Sequence, residues 1–264
     1  MDLQLRGLRA LVTGSTAGIG HAIAVRLAME GAEVVITGRT QARVDAAIAE
    51  LCARVRDAVV RGVACDFGTP DGCARAIEAA PDLDILVNNV GMFTPRPFVE
   101  LTDGDWMTAF TVNVMSGVIL SRHHLPRMLA HKSGRIIFIS SESAVQIPTE
   151  MIQYGVSKTA QAAVARGLAE LTRSTGVTVN SVLAGPTRSE GVERFVGDLA
   201  RGRGVDAAAV ERDFFRSARP TSILQRFITP EEIANVVAFI ASPLAAAVNG
   251  AAVRADGGVL KSTF

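Results

Sequence analysis

Short runs of β-branched and other apolar residues alternate along the whole chain with longer, Ala-rich stretches of helical spacing. The strand candidates are residues 9–13, 33–37, 59–64, 83–87, 135–140, 177–182 and 251–254. Most are continuous apolar runs, which suits strands covered on both faces within a parallel sheet. Helix candidates lie between them, among them 19–30, 41–56, 103–129 and 151–174. Strand–helix repetition of this kind predicts an α/β domain with right-handed crossovers. A doubly wound sheet and an eightfold barrel both suit the length. Seven strand candidates, with a glycine cluster in the first strand–helix turn, favour the doubly wound (Rossmann-type) sheet with helices on both faces. No linker or repeat marks a second domain, so residues 1–264 read as one. The region 188–225 breaks the rhythm. It has no strand signal and carries Gly202 and Gly204 among scattered charges, which reads either as a lid over a crevice or as a peripheral helical insertion.

Composition narrows the function classes. The 264 residues are 48% hydrophobic and 20% charged, enough apolar material to bury a large core and too little self-repulsion for disorder. With 27 basic against 26 acidic residues there is no surplus of cations for a nucleic-acid footprint, and 5% aromatics are too few for a base-stacking surface. Cys52, Cys65 and Cys73 fit neither a zinc site nor a disulfide framework, so no metal is expected and the thiols read as reduced. No apolar run approaches the roughly 20 residues of a membrane span, and the first residues do not resemble a signal peptide. A cytoplasmic location is the expectation.

The glycine cluster carries the first candidate chemistry. Gly14, Gly18 and Gly20 follow the first strand in a GxxxGxG spacing, with Ser15, Thr16 and Ile19 between them. Glycines here permit a tight turn and close backbone approach to a pyrophosphate, which the next helix meets with unpaired N–H groups. The second strand runs into Gly38 and Arg39, with no carboxylate until Asp45. A carboxylate there would accept from an adenosine ribose hydroxyl, whereas a guanidinium meets a 2′-phosphate, so Arg39 points to NADP(H) rather than NAD(H).

The chain has a single tyrosine, Tyr154, four residues before Lys158. On a helix the two share a face, and a neighbouring ammonium is expected to lower the phenol's pKa towards the range useful for acid–base work at a carbonyl. Ser141 stands at a strand's carboxyl end, the edge where open α/β sheets bind ligands, and its hydroxyl can donate to a carbonyl oxygen. A serine hydrolase is disfavoured: there is no GxSxG elbow, and His21, His123, His124 and His131 read as surface residues of helices. The sole tryptophan, Trp106, follows a helix-start signal of Thr102 with Asp105 three positions on.

Taken together, these motifs resemble the short-chain dehydrogenase/reductase family over nearly the whole chain. The turn at 13–20 resembles the family's TGxxxGxG. Asp66 and Phe67 resemble its adenine-contacting pair, and Asn88-Asn89-Val90-Gly91 its NNAG motif with valine for alanine. Asn113, Ser141, Tyr154 and Lys158 match its catalytic tetrad. The residues after the sixth strand depart from the family's Pro-Gly: here Ala184 and Gly185 precede Pro186 and Thr187, with Gly185 and Thr187 expected to meet the nicotinamide amide. Residues 255–258 resemble the family's C-terminal VDGG.

The resemblance implies hydride transfer between an NADP(H) cofactor and a small carbonyl or alcohol. Ser141 would hold the carbonyl, Tyr154 would donate the proton, and Lys158 would tune Tyr154 and grip the ribose. Asn113 would help fix a water linking Lys158 to solvent. A homotetramer is also implied. As specific activities, a 3-oxoacyl reductase and a polyol or sugar dehydrogenase stay open, and a non-catalytic NADP-sensing protein is the contrasting class. Phe195, Phe214 and Phe215 are candidates for an apolar pocket wall or a lid core, and Glu142 for a polar substrate contact or a solvent-facing side chain.

Overall fold

The computed structural model describes residues 1–263, apart from the side chain of Phe195. Its centre is a seven-stranded sheet in which every pairing is parallel. The strands are β1 (Arg9–Val12), β2 (Glu33–Gly38), β3 (Val60–Ala64), β4 (Ile85–Asn88), β5 (Ser133–Ser141), β6 (Gly176–Ala184) and β7 (Ala252–Ala255). They lie in the order β3-β2-β1-β4-β5-β6-β7. The chain reverses direction across the sheet between β1 and β4, the switch point at which open α/β sheets form their ligand crevice.

The central strands are continuous apolar runs because both faces are covered. Val12, Ile36, Val87 and Ile137 point to the side occupied by helices α1 (Gly18–Met29) and α9 (Pro230–Ala241), packing on Ile23, Leu27, Ile233 and Val237. Leu11, Val35, Leu86 and Phe138 point to the other, against Leu120, Leu125 and Ala165. Each such fully buried aliphatic side chain stabilises the fold by about 1.5–3 kcal/mol relative to exposure. The remaining helices are α2 (Gln41–Arg54), α3 (Pro70–Ala79), α4 (Asp103–Phe110), α5 (Ser116–His131), α6 (Ile152–Glu170), α7 (Glu190–Arg203) and α8 (Ala207–Ser217). Thr102 and Asp105 close a full capping box at the start of α4, as their spacing predicts.

The helix expected over 103–129 is interrupted. Between α4 and α5 the backbone makes one π turn, Thr111–Met115, which brings Asn113 into the interior, where it is buried. π turns of this kind are rare and gather at functional sites. The insertion at 188–225 is helical: α7 and α8 enclose a small core of their own from Val196, Val210, Phe215 and Phe227. Phe214 packs against that core and Phe215 is buried in it, whereas Phe195's side chain lies outside the described set. The chain leaves and re-enters the main body at one point, where Arg188 N donates to Ile228 O (2.8 Å) and Ile228 N to Pro186 O (2.9 Å).

Candidate active site

The glycine turn closes over the carboxyl ends of β1 and β2. Gly14 and Gly18 have φ of +61° and +56°, which side-chain-bearing residues rarely adopt. A Cβ on Gly20 would collide with the carbonyl of Gly14 and the amide of Asn89. Asn89 locks the turn from β4's end: its Nδ2 donates to Thr13 O (2.8 Å) and Gly14 O (3.1 Å). Ala17, the residue before α1, offers no side-chain cap and the first turn of α1 has no acidic residue. The helix's leading N–H groups are thus left for an anion. We expect Gly20→Ala to lower thermal stability and weaken dinucleotide binding at least tenfold, measured by cofactor-fluorescence titration, because backbone and not a flexible side chain must give way.

Ser15 plays a different part from the cofactor contact expected of it. Its hydroxyl is wholly buried, donates to Val12 O (2.7 Å) and accepts from Thr37 N (2.9 Å), so it builds the turn. Thr16 packs under Gly38, where a Cβ would strike its methyl group. Arg39 is exposed just beyond, without an ion-pair partner among the described residues. Asp66 is exposed and accepts from Gly68 N (2.9 Å), while Phe67 is a core residue, 4% exposed. Gly185 approaches the backbone so closely that a Cβ would lie 2.6 Å from Asp256 O. Thr187 is tied by its hydroxyl to Gly185 O (2.9 Å) and by a parallel bridge to Ile228. Lacking the family's Pro-Gly order, the strand-end loop is held instead by these backbone bonds.

Ser141, Tyr154 and Lys158 line one cavity of about 540 Å³ at the carboxyl edge of the sheet, together with Gly91 and Thr187. Its far wall comes from the insertion, through residues such as Val192, Leu199 and Phe214. The ring of Phe93 meets Tyr154 edge-on at 6.0 Å between centroids. Lys158 is 4% exposed, and its Nζ donates to Ile139 O (2.8 Å) and to Gln161 Oε1 (3.0 Å), 5.6 Å from the centre of the Tyr154 ring.

The expected pKa coupling is corrected by this environment. Burial, and then the carboxylate of Glu142, push the Tyr154 phenol up rather than down, against a weaker pull from a Ser141 hydrogen bond and from Arg219. Lys158 makes no resolved contribution to that shift, and burial pushes its own value down to about 7. The phenol therefore keeps its proton at neutral pH, the form a proton donor needs.

Asn113 differs from its expected role in detail. Its Oδ1 accepts from Met92 N (2.7 Å), its Nδ2 donates to Met92 O and Ser157 Oγ (both 2.9 Å), and its main-chain carbonyl accepts from Gln161 Nε2. Sequence reasoning missed Gln161, although its place one turn after Lys158 on the same helix was a usable signal.

Glu142 does not face solvent. It is 3% exposed, accepts from the Ser141 hydroxyl, and pairs with Arg219 Nε at 2.9 Å. Arg219, itself 6% exposed at the end of the insertion, also reaches Glu150 at 3.4 Å. Sequence reading missed Arg219 altogether.

Two of the histidines expected on the surface are buried. His21 is 7% exposed, within 3.3 Å of Ser15 O and 3.4 Å of Glu50, and His124 is 1% exposed and pushed down to about 4 by burial. Burial also pushes the Cys65 thiol up to about 12 and raises Cys73, leaving both thiols unreactive at neutral pH. Among the described residues no group of three or more His, Cys, Asp and Glu is placed to hold a metal ion.

Residues 14–260 match the family model described as enoyl-(acyl carrier protein) reductase. The chain belongs to the short-chain dehydrogenase/reductase family. It is 48% identical to an uncharacterized oxidoreductase of Bacillus subtilis, YvaG, over the full length of both chains. It is 30% identical to a 3-oxoacyl-[acyl-carrier-protein] reductase of Aquifex aeolicus, covering 98% of this chain and 100% of the relative. Among solved structures, L-sorbose reductase from Gluconobacter frateurii, complexed with NADPH and L-sorbose, superposes with a TM-score of 0.93 at 32% identity, covering 99% of this chain and 100% of that one. Short-chain dehydrogenase/reductases are oxidoreductases acting on CH–OH groups of small molecules. No helix among the described residues is long and apolar enough to cross a membrane.

Proposed function

We propose that the protein is an NADP(H)-dependent oxidoreductase that interconverts a ketone and a secondary alcohol, with Tyr154 as the general acid and base. The observation that carries this reading is the convergence of Ser141, Tyr154 and Lys158 on one cavity beside the glycine turn. The dinucleotide fits the site: a side chain at Gly20 would fill its cradle, and the start of α1 is uncapped. Gly14, Gly18, Ile19 and Gly20 would hold its pyrophosphate and Arg39 its 2′-phosphate. Asp66 and the backbone at Phe67 would serve the adenosine, with Asn89, Gly91, Lys158, Gly185 and Thr187 towards the nicotinamide. When bound, the cofactor supplies or accepts the hydride.

The chain's own residues manage the proton. Tyr154, kept neutral by burial, donates to the carbonyl oxygen as negative charge develops there. Ser141 fixes that oxygen, its own hydroxyl orientation set by Glu142. Lys158 presents its remaining N–H to the cavity, its other two being held by Ile139 and Gln161. In the alcohol-oxidising direction the phenol must first lose its proton, so oxidation requires a more alkaline medium than reduction.

Arg39 supports the choice of cofactor, because no described carboxylate pairs with it. Arg39→Ala is expected to raise KM for NADPH roughly tenfold or more, the loss of one charge-assisted phosphate contact, while leaving KM for NADH within about twofold. Equal changes for both cofactors would remove Arg39 from the 2′-phosphate site.

A panel of ketones with NADPH and NADH tests the activity. Turnover of none of them, despite tight NADPH binding, would turn the reading to an NADP-sensing protein. A polyol or sugar ketone is favoured over a 3-oxoacyl substrate by Glu142, whose carboxylate lies on the cavity wall next to Ser141, where a hydroxyl beside the carbonyl would meet it. The same reading includes a cytoplasmic homotetramer, with exposed Met107 and Met115 along the α4–α5 surface as apolar contact material.

A further inference from the structure

We propose that Gln161 is a positioning residue of this site, clamping the Lys158 ammonium to the π turn and keeping it charged and aimed into the cavity. This rests on the reading of Tyr154 and Lys158 as the working pair.

Gln161 is 1% exposed, and both ends of its amide are engaged. Oε1 accepts from Lys158 Nζ at 3.0 Å, and Nε2 donates to the main-chain carbonyl of Asn113. α6 packs directly on the π turn, so a fixed backbone orients the amide and the amide orients the ammonium. A buried amide satisfied at both ends cannot flip without leaving two polar groups unpaired. The oxygen thus always faces Nζ.

The surroundings of Nζ make that oxygen matter. From β5 comes the Ile139 carbonyl at 2.8 Å, and from the loop after β4 comes Gly91, where a Cβ would lie 3.2 Å from Nζ. From the π turn comes Asn113, and from α6 itself come Tyr154 and Gln161. The turn after β5 brings Glu142, but that carboxylate is balanced by Arg219 and bears on Tyr154. Among the described residues no carboxylate pairs with Lys158; two neutral oxygens hold its charge. Burial leaves the lysine at about 7, so the loss of one acceptor changes its charge in the working pH range.

The test uses the whole protein and reads Lys158 directly. The chain has three lysines, and Lys132 and Lys261 are exposed, so NMR of protein labelled at lysine side-chain carbons resolves the buried one. In cofactor-free protein, Gln161→Leu is expected to move the Lys158 transition down by about one pH unit, and Gln161→Glu to move it up by at least as much. The alkaline limb of ketone reduction should follow in the same two directions, because the ammonium is lost as pH rises through its pKa. If both variants leave the transition where the parent has it and change only thermal stability, Gln161 is a packing residue and the proposal is overturned. Should Gln161→Leu fail to fold, Gln161→Glu decides alone: an upward shift supports the clamp and an unmoved transition overturns it. The underlying reading fails separately, by an active Tyr154→Phe variant.

Discussion

Tyr154→Phe should lower kcat for ketone reduction by about 10²- to 10⁴-fold while NADPH binds within about threefold of the parent affinity. The phenol is the one described group in the cavity that is neutral, proton-bearing and flanked by a serine at a strand's carboxyl end. Phenylalanine preserves the ring, and with it the edge-on contact to Phe93, so the variant subtracts a hydroxyl and little else. Water reaching the vacated position is a poorer donor without a fixed geometry, which is why the loss is large but not total. Stopped-flow reduction with saturating NADPH, beside a fluorescence titration of cofactor binding, separates the two quantities. Near-normal turnover, or a loss confined to NADPH affinity, would take the acid role away from Tyr154.

Arg219→Met is expected to cost about 3 kcal/mol of folding stability, read from urea unfolding. The substitution leaves Glu142 buried at 3% exposure with no cation beside it. Glu150 has half its side chain in water and can rehydrate, so the penalty falls on Glu142. Adding Glu142→Gln to Arg219→Met removes the stranded charge and should recover more than half of the loss. The recovery separates a true ion pair from simple packing of the Arg219 stem, which lies 5.9 Å from the Phe214 ring centre and is lost in both variants. A single variant as stable as the parent would mean that water already reaches the pair.

The fold was legible because its strands are buried on both faces. Each of the seven candidate runs became a strand, with ends moved by one to three residues, chiefly where β5 and β6 continue to Ser141 and Ala184. Those extra residues are polar or small and carry no hydropathy signal, yet they deliver Ser141 to the cavity. The π turn was not legible: Thr111 to Met115 contain no glycine or proline, and the widening of the helix is a tertiary demand of the packing against α6. Gln161 and Arg219 escaped for different reasons. Gln161 reads as an ordinary polar helix position. Arg219 meets Glu142 across 77 positions of sequence, and no local pattern encodes that pairing. The Tyr154–Lys158 spacing correctly placed both groups on one helix face, but spacing says nothing about burial, and burial set the direction of both pKa shifts.

The single exit and re-entry of the chain at Thr187 and Ile228 has a consequence for engineering and for descent. A segment whose two ends are already hydrogen-bonded to each other can be lengthened, shortened or traded for another at small entropic cost, since loop closure grows only slowly with length. Chimeras that swap residues 188–227 between relatives should therefore fold on an unchanged chassis and inherit the donor's substrate range, provided that the graft also brings a match for Glu142.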